Sequence, residues 1–210
     1  MAAEVTSARE HSTANAGNAV RGDVRTVGGV TENGYSAPLK RAILSYEHRQ
    51  RQEENEAMAF YDDEGNQLNR KQGKRDRVSL RDSDVPGENL IMTHNHPSAL
   101  SERGYMRIGN SFSAEDAVLA VKFNAKEIRA VTPTYTFSIK RNGSRWGVTQ
   151  AAVRRAYQRA ADEVTVNGQT YYDLMRGSQT AYNRYAVTFF HKINKLVAKE
   201  LGWNYAKKKG

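Results

Sequence analysis

The sequence predicts an α+β fold with a basic helical C-terminal extension, and three observations carry this. Short apolar segments bounded by turn residues recur between residues 57 and 140, at the length of strands. Helical periodicity precedes them, interrupts them once and occupies most of the chain from Thr149 onward. The charge divides in the same place. Lys140–Gly210 holds 14 Lys and Arg against 4 Asp and Glu, a net of +10 in a chain of +9, so residues 1–139 are close to neutral.

Taken in order, residues 1–35 are rich in Ala, Gly, Thr, Asn and Ser and carry few large apolar side chains. Such a segment buries too little surface to offset its ordering entropy, and it reads as a flexible arm. A helix starts near Pro38 with Ser36 as its cap; Leu39, Ile43 and Tyr46 mark its apolar face, and charged residues follow through Glu54. Ala57–Tyr61 is a strand ended by the turn Asp62-Asp63-Glu64-Gly65, and Asn66–Arg70 returns antiparallel. Val78–Leu80 is a short strand candidate. Asn89–Thr93 is apolar on both faces and reads as an interior strand. A helix opens at Ser113 and runs to Phe123, followed by strands Glu127–Thr132 and Thr134–Lys140. Thr149 caps a helix through Ala161. A second helix covers Tyr171–Leu201, broken near Gly177, with Phe189, Ile193, Val197 and Leu201 as its stripe and Gly202 as its stop. Lys207-Lys208-Lys209 reads as a solvated tail. The domains are therefore an arm (1–35), a body (36–140) and the extension (141–210), which packs on the body.

Composition removes several function classes. The chain has 210 residues and no cysteine, which excludes disulfides, thiol catalysis and cysteine-ligated zinc; a metal site must use His, Asp and Glu. No apolar run is long enough to span a bilayer, and Met1–Gly34 has no basic segment followed by an apolar stretch, so the expected location is the cytoplasm, without a membrane partner.

The sharpest feature is His94-Asn95-His96-Pro97 at the end of a strand. Residues two apart on a strand face the same side, so the two imidazoles can meet at one point, and Pro97 stops the strand there. Two loop histidines without a ligand are the plain alternative. Ser113-Ala114-Glu115-Asp116 follows. It satisfies the pattern of a helix capping box, and a helix beginning beside the strand end would also carry Asp116 toward the histidines. Two His and one carboxylate leave a fourth tetrahedral position for water, the arrangement of a catalytic zinc. Such a site needs a base. Glu47, Glu53, Glu54 and Glu56 are the candidates upstream, and Glu56 stands immediately before the Ala57–Tyr61 strand, which would fix it.

Glu56, His94-Asn95-His96-Pro97 and Ser113-x-x-Asp116, in this order, resemble the signature of the JAMM (MPN-plus) zinc metalloproteases. With Phe112-Ser113-Ala114-Glu115-Asp116 and Glu127–Thr132, the chain is similar to the bacterial and phage branch, in particular to the JAMM-like domains of phage head-morphogenesis proteins. The resemblance covers roughly residues 40–140. It implies a curved mixed β-sheet flanked by helices, similar to the cytidine-deaminase architecture. It implies Zn²⁺ on His94, His96 and Asp116, with Glu56 as general base and then acid. Ser113 would donate to the oxyanion. The reaction would be hydrolysis of an amide or isopeptide bond in a protein or peptide substrate, encoded by a phage or mobile element. The 15 residues from Ser98 to Phe112 exceed the family's usual gap and are expected to form a lid or recognition loop, or to mark a site that has drifted.

Two other readings stand beside this one. A phage head-associated structural protein with a degenerate metal site would meet phage structural proteins, on the virion. A basic nucleic-acid-associated protein would use the cations of residues 148–210, among which Tyr157, Tyr171, Tyr172, Tyr182, Tyr185, Phe189, Phe190, Trp203 and Tyr205 are interleaved. The plainer expectation for those rings is packing against the sheet. Ser101 and Ser111 lack an Asp three residues on, and His11, His48 and His191 have no partner motif.

Overall fold

The computed structural model describes residues 34–74, 77–97 and 110–210. Helix α1 (Ala37–Gln50) begins where Ser36 Oγ accepts the Leu39 N–H at 3.2 Å, with Pro38 in the first turn. It stops four residues before Glu54, where the charged run ends; Arg51 caps it with its N–H on the Glu47 carbonyl, and the Arg51 side chain donates to the carbonyls of Thr132 and Tyr135. Strands β1 (Ala57–Tyr61) and β2 (Gln67–Gln72) form an antiparallel hairpin. Val78–Leu80 forms no strand, and a single 3₁₀ turn follows at Asp82–Asp84.

Strand β3 (Ile91–Asn95) begins two residues later than the sequence suggested. Asn89 adopts a left-handed backbone (φ 61°), incompatible with a strand, and its side chain accepts from Arg141 Nη2 at 2.6 Å. The shift places His94 inside the strand and His96 just beyond it, without altering their shared parity. Helix α2 (Ala114–Lys122) crosses to β4 (Glu127–Val131), which lies parallel to β3; β5 (Tyr135–Lys140) returns antiparallel.

The last third adds helix α3 (Gln150–Glu163) and a small hairpin, β6 (Thr165–Val166) and β7 (Gln169–Thr170). The hairpin turns on Asn167 and Gly168, both at positive φ, the two-residue turn that Asn-Gly favours. Helices α4 (Tyr171–Arg176) and α5 (Gln179–Leu201) are separate, divided at Gly177 as expected. Gly202, left-handed at φ 70°, ends α5. The residues read as a free tail then form strand β8 (Asn204–Lys209), antiparallel to β5, with the Lys207 ammonium 4.0 Å from the Tyr135 ring centroid.

The mixed sheet has the order β2-β1-β3-β4-β5-β8. One face carries Met58, Phe60, Met92, Ile128, Phe137 and Ile139 and is covered by α2, α3 and α5, whose Ala117, Val153, Phe189, Ile193 and Val197 join the same core. The other face lies under α1, with Leu39, Ile43 and Tyr46 on Ala59, Tyr61 and Ile91. Beside this smaller core a buried charge cluster replaces hydrocarbon. Arg129 donates to Glu47 through Nε (2.6 Å) and Nη2 (3.0 Å), and to Glu127 through Nη1 (3.1 Å). Thr93 Oγ1 completes Glu47, and the Tyr35 hydroxyl, within the segment expected to be a free arm, donates to Glu127 at 2.7 Å. The remaining arm residues, 1–33, lie outside the described residues.

Candidate metal centre

Strand parity decides which side chains meet. His94 shares the larger core's face with Met92, whereas Thr93 and Asn95 face α1. Met58 pairs directly with His94, so the same antiparallel register carried two residues further places Glu56 opposite His96, on the His94 side. The backbone of Glu56 is held at both ends: its N–H donates to Lys74 O and its carbonyl accepts from Gly73 N–H, each at 2.8 Å. Asp116 arrives from the first turn of α2. Ser113 caps this helix; its N–H (2.7 Å) and hydroxyl (2.8 Å) both donate to Asp116 Oδ2, while Asp116 N–H returns a bond to Ser113 Oγ at 3.3 Å. The capping box is formed, and it fixes the carboxylate beside the two histidines.

These pieces converge. One ligand atom from each of Glu56, His94 and His96 lies within 4.8 Å of the others, so the group could hold a metal ion. Asp116 Oδ1 is 3.4 Å from His94 Nε2, and Oδ2 is 3.7 Å from His96 Nε2. A tetrahedral ion with bonds of ~2.0–2.1 Å sets its ligand atoms about 3.3 Å apart, close to the Asp116–His94 separation and shorter than the Asp116–His96 one. The two Nε2 atoms are 2.8 Å apart, the distance of a proton shared between rings. Two bare lone pairs would repel there, so at this spacing one ring donates to the other, and a tetrahedral ion would hold the two nitrogens further apart.

The surroundings prepare His96 for this role. Its Nδ1 is 2.9 Å from the Asn110 carbonyl, which can only accept; Nδ1 therefore carries the proton and Nε2 presents its lone pair to the cluster. His94 is fully buried, and its Nδ1 has no hydrogen-bond partner. Burial pushes the Asp116 carboxyl up, but the hydrogen bond from His94, the charge that the two imidazoles carry when protonated, and the Ser113 N–H outweigh it and hold Asp116 below the usual carboxylate range.

The other candidates fall elsewhere. Glu47 is committed to Arg129 beneath α1, on the opposite face of the sheet, which removes it as a base. Glu53 and Glu54 are exposed, beyond the end of α1. His48 is exposed, and His191 bonds the Tyr205 hydroxyl at 3.0 Å. Ser111 also bonds Tyr205, at 3.0 Å. His11 and Ser101 lie outside the described residues, as does most of the Ser98–Phe112 segment, residues 98–109, with the lid or recognition role expected of it.

Several residues that support the centre carry no signal in sequence spacing. Asn95, between the two histidines, is buried and points away from them. Its Oδ1 accepts the Ala57 N–H at 2.7 Å and its Nδ2 donates to the Asn55 carbonyl at 3.0 Å, gripping the backbone on both sides of Glu56. The extension supplies the rest. Tyr182 OH accepts from Asn110 Nδ2 at 2.6 Å, and Asn194 Nδ2 donates to Phe112 O at 2.9 Å while its Oδ1 accepts from Tyr157 OH. With Tyr205 on Ser111, residues of α5 and β8 hold the segment that orients His96 and leads to Ser113. The Asn95→Ala variant leaves a buried Ala57 N–H without its acceptor. It should lose ~1–3 kcal/mol of unfolding free energy in urea and retain the metal stoichiometry of the parent, since no metal-facing atom is removed.

Comparison with protein-family models, with curated proteins and with solved structures finds no match to this chain. Among the described residues no helix is long and apolar enough to cross a membrane.

Proposed function

We propose that this protein is a zinc-dependent hydrolase of the JAMM type, cleaving an amide or isopeptide bond in a protein or peptide substrate. The convergence of Glu56, His94, His96 and Asp116 from three separate chain segments carries this reading. The donor set fits zinc: two imidazoles and a carboxylate, with no thiolate in the chain. When bound, zinc would acidify a water molecule and polarise the substrate carbonyl.

The protein's own groups do the remaining work. His96 offers Nε2 because the Asn110 carbonyl fixes its other nitrogen. Ser113 and the N-terminal turn of α2 keep Asp116 ionised and aimed. Glu56, held by its strand, takes the proton of the attacking water and returns it to the leaving amine. The Ser113 hydroxyl would turn from Asp116 to donate to the carbonyl oxygen as its charge develops, a contact whose loss costs ~2.7–4 kcal/mol in other hydrolases.

The test is Glu56→Gln, assayed on a panel of fluorogenic peptides and isopeptide-linked conjugates. Zinc content should equal that of the parent, and hydrolysis should fall ~10²–10⁴-fold. Retained hydrolysis would place the base on another residue, and no hydrolysis by the zinc-loaded parent across the panel would defeat the reading for those bonds.

A further inference from the structure

We propose that the solvent face of α5 binds the phosphodiester backbone of a nucleic acid. Arg184, Lys192, Lys195 and Lys199 are all exposed. At 100° per residue they fall within about 80° of arc, together with the exposed Thr188, and at 1.5 Å per residue they extend over about 22 Å. They form one basic stripe along the longest helix. Glu200 is the sole acid of α5, and it is taken by Arg159 of α3. Among the described residues no carboxylate pairs with any of the four. Lys192 donates to the Thr165 carbonyl at 3.0 Å, and Arg184 lies over the Tyr185 ring. The stripe continues toward β8: Lys195 and Lys207 both bear on His191, whose pKa is lowered by burial first and by these two cations after it.

The rest of the helix separates this partner from others. An interfacial membrane helix needs its apolar side free for lipid, but Ala186, Phe189, Ile193 and Val197 are buried in the core. Recognition of unstacked bases needs exposed rings, but on α5 Phe189 is a core residue, Tyr182, Tyr185 and Phe190 are half-buried against the core, and the exposed Tyr172 belongs to α4. What α5 leaves to solvent on this stripe is four cations and Thr188, which suits phosphates and carries no base readout.

Binding is measured by fluorescence anisotropy with labelled 20-base-pair DNA and RNA duplexes. Four phosphate contacts give a slope near −3.6 in log affinity against log salt, or roughly 150-fold weaker binding at 200 mM than at 50 mM salt. Lys192→Glu/Lys195→Glu/Lys199→Glu should remove most of that slope and weaken binding at least tenfold at 50 mM. The milder Lys→Gln triple should fall between it and the parent. Lys40→Glu/Arg41→Glu/Arg49→Glu makes the same charge change on exposed positions of α1, across the sheet, and should bind almost as the parent does. Far-UV circular dichroism confirms that each variant is folded. Equal losses in the two Glu triples would reduce the effect to net charge and overturn the assignment. Failure to bind either duplex at 50 mM salt, or binding to phosphatidylserine vesicles without binding to either duplex, would overturn it as well.

Discussion

The His94→Ala/His96→Ala variant should contain no tightly bound zinc, where the parent, purified and reconstituted, holds close to one equivalent by elemental analysis. The expectation follows from the parity of β3. Both imidazoles reach one point from alternate residues, so no other described histidine can replace either; His191 is engaged with Tyr205, and His48 is exposed on α1. The parent should also gain thermal stability on zinc addition and lose it to a chelator, in proportion to the logarithm of free zinc over its dissociation constant. The double variant should show neither response. A parent that takes up no zinc after reconstitution would sink the hydrolase proposal at its root. Zinc retained by the double variant would move the site elsewhere.

The second large effect concerns stability. Arg129→Met should destabilise the fold by ~3–5 kcal/mol at pH 7, because it strands Glu47 and Glu127, both almost completely buried, without their shared cation. Burial already pushes the Glu127 carboxyl above its ordinary range even against Arg129 and the Tyr35 hydroxyl. In the variant that shift grows. A carboxyl whose folded-state pKa is raised gives up stability as pH climbs through that value and keeps it below the unfolded value near 4. The deficit should therefore be smallest near pH 4 and widen toward pH 7. Urea titrations of parent and variant at both pH values check the sign. A deficit that stays constant between the two pH values would mean the carboxylates are charged and hydrated in the variant, and one that narrows with rising pH would mean their folded pKa values are lowered; either would overturn the expectation. The triple Glu47→Met/Glu127→Met/Arg129→Met leaves no charge behind and should recover most of the loss.

The parts that were legible in the sequence are those set by short-range geometry. The spacing of His94 and His96 fixed their common face, even though β3 itself begins later than its apolar residues suggested. Ser113 and Asp116 could be read as a cap, and the structure shows the cap positioning the carboxylate. Glu56 was singled out by its place before β1, and it lies in one group with His94 and His96 that could hold an ion. What could not be read depends on pairing between distant segments. Glu47 sits among charged residues that suggest a solvated helix face, yet Arg129, 82 positions away, makes it a core residue. Strand β8 was hidden by its own lysines, since charge on an edge strand protects against further pairing and resembles a tail when read alone. Tyr182, Asn194 and Tyr205 have no motif, and their roles exist only once α5 lies against residues 110–113.

That last dependence has a consequence in time. The four side chains that face one another are complete once Asp116 has been synthesised, but Asn194 and Tyr205, which hold the neighbouring segment, come roughly 80 to 90 residues later in the chain. At 5–20 residues per second, a ribosome takes on the order of ten seconds to cover that distance. A nascent chain would thus carry Glu56, His94, His96 and Asp116 well before it has the residues that hold the segment beside them. Pairing of β8 with β5 brings Tyr205 to Ser111, so the edge of the sheet and the support of residues 110–113 form together.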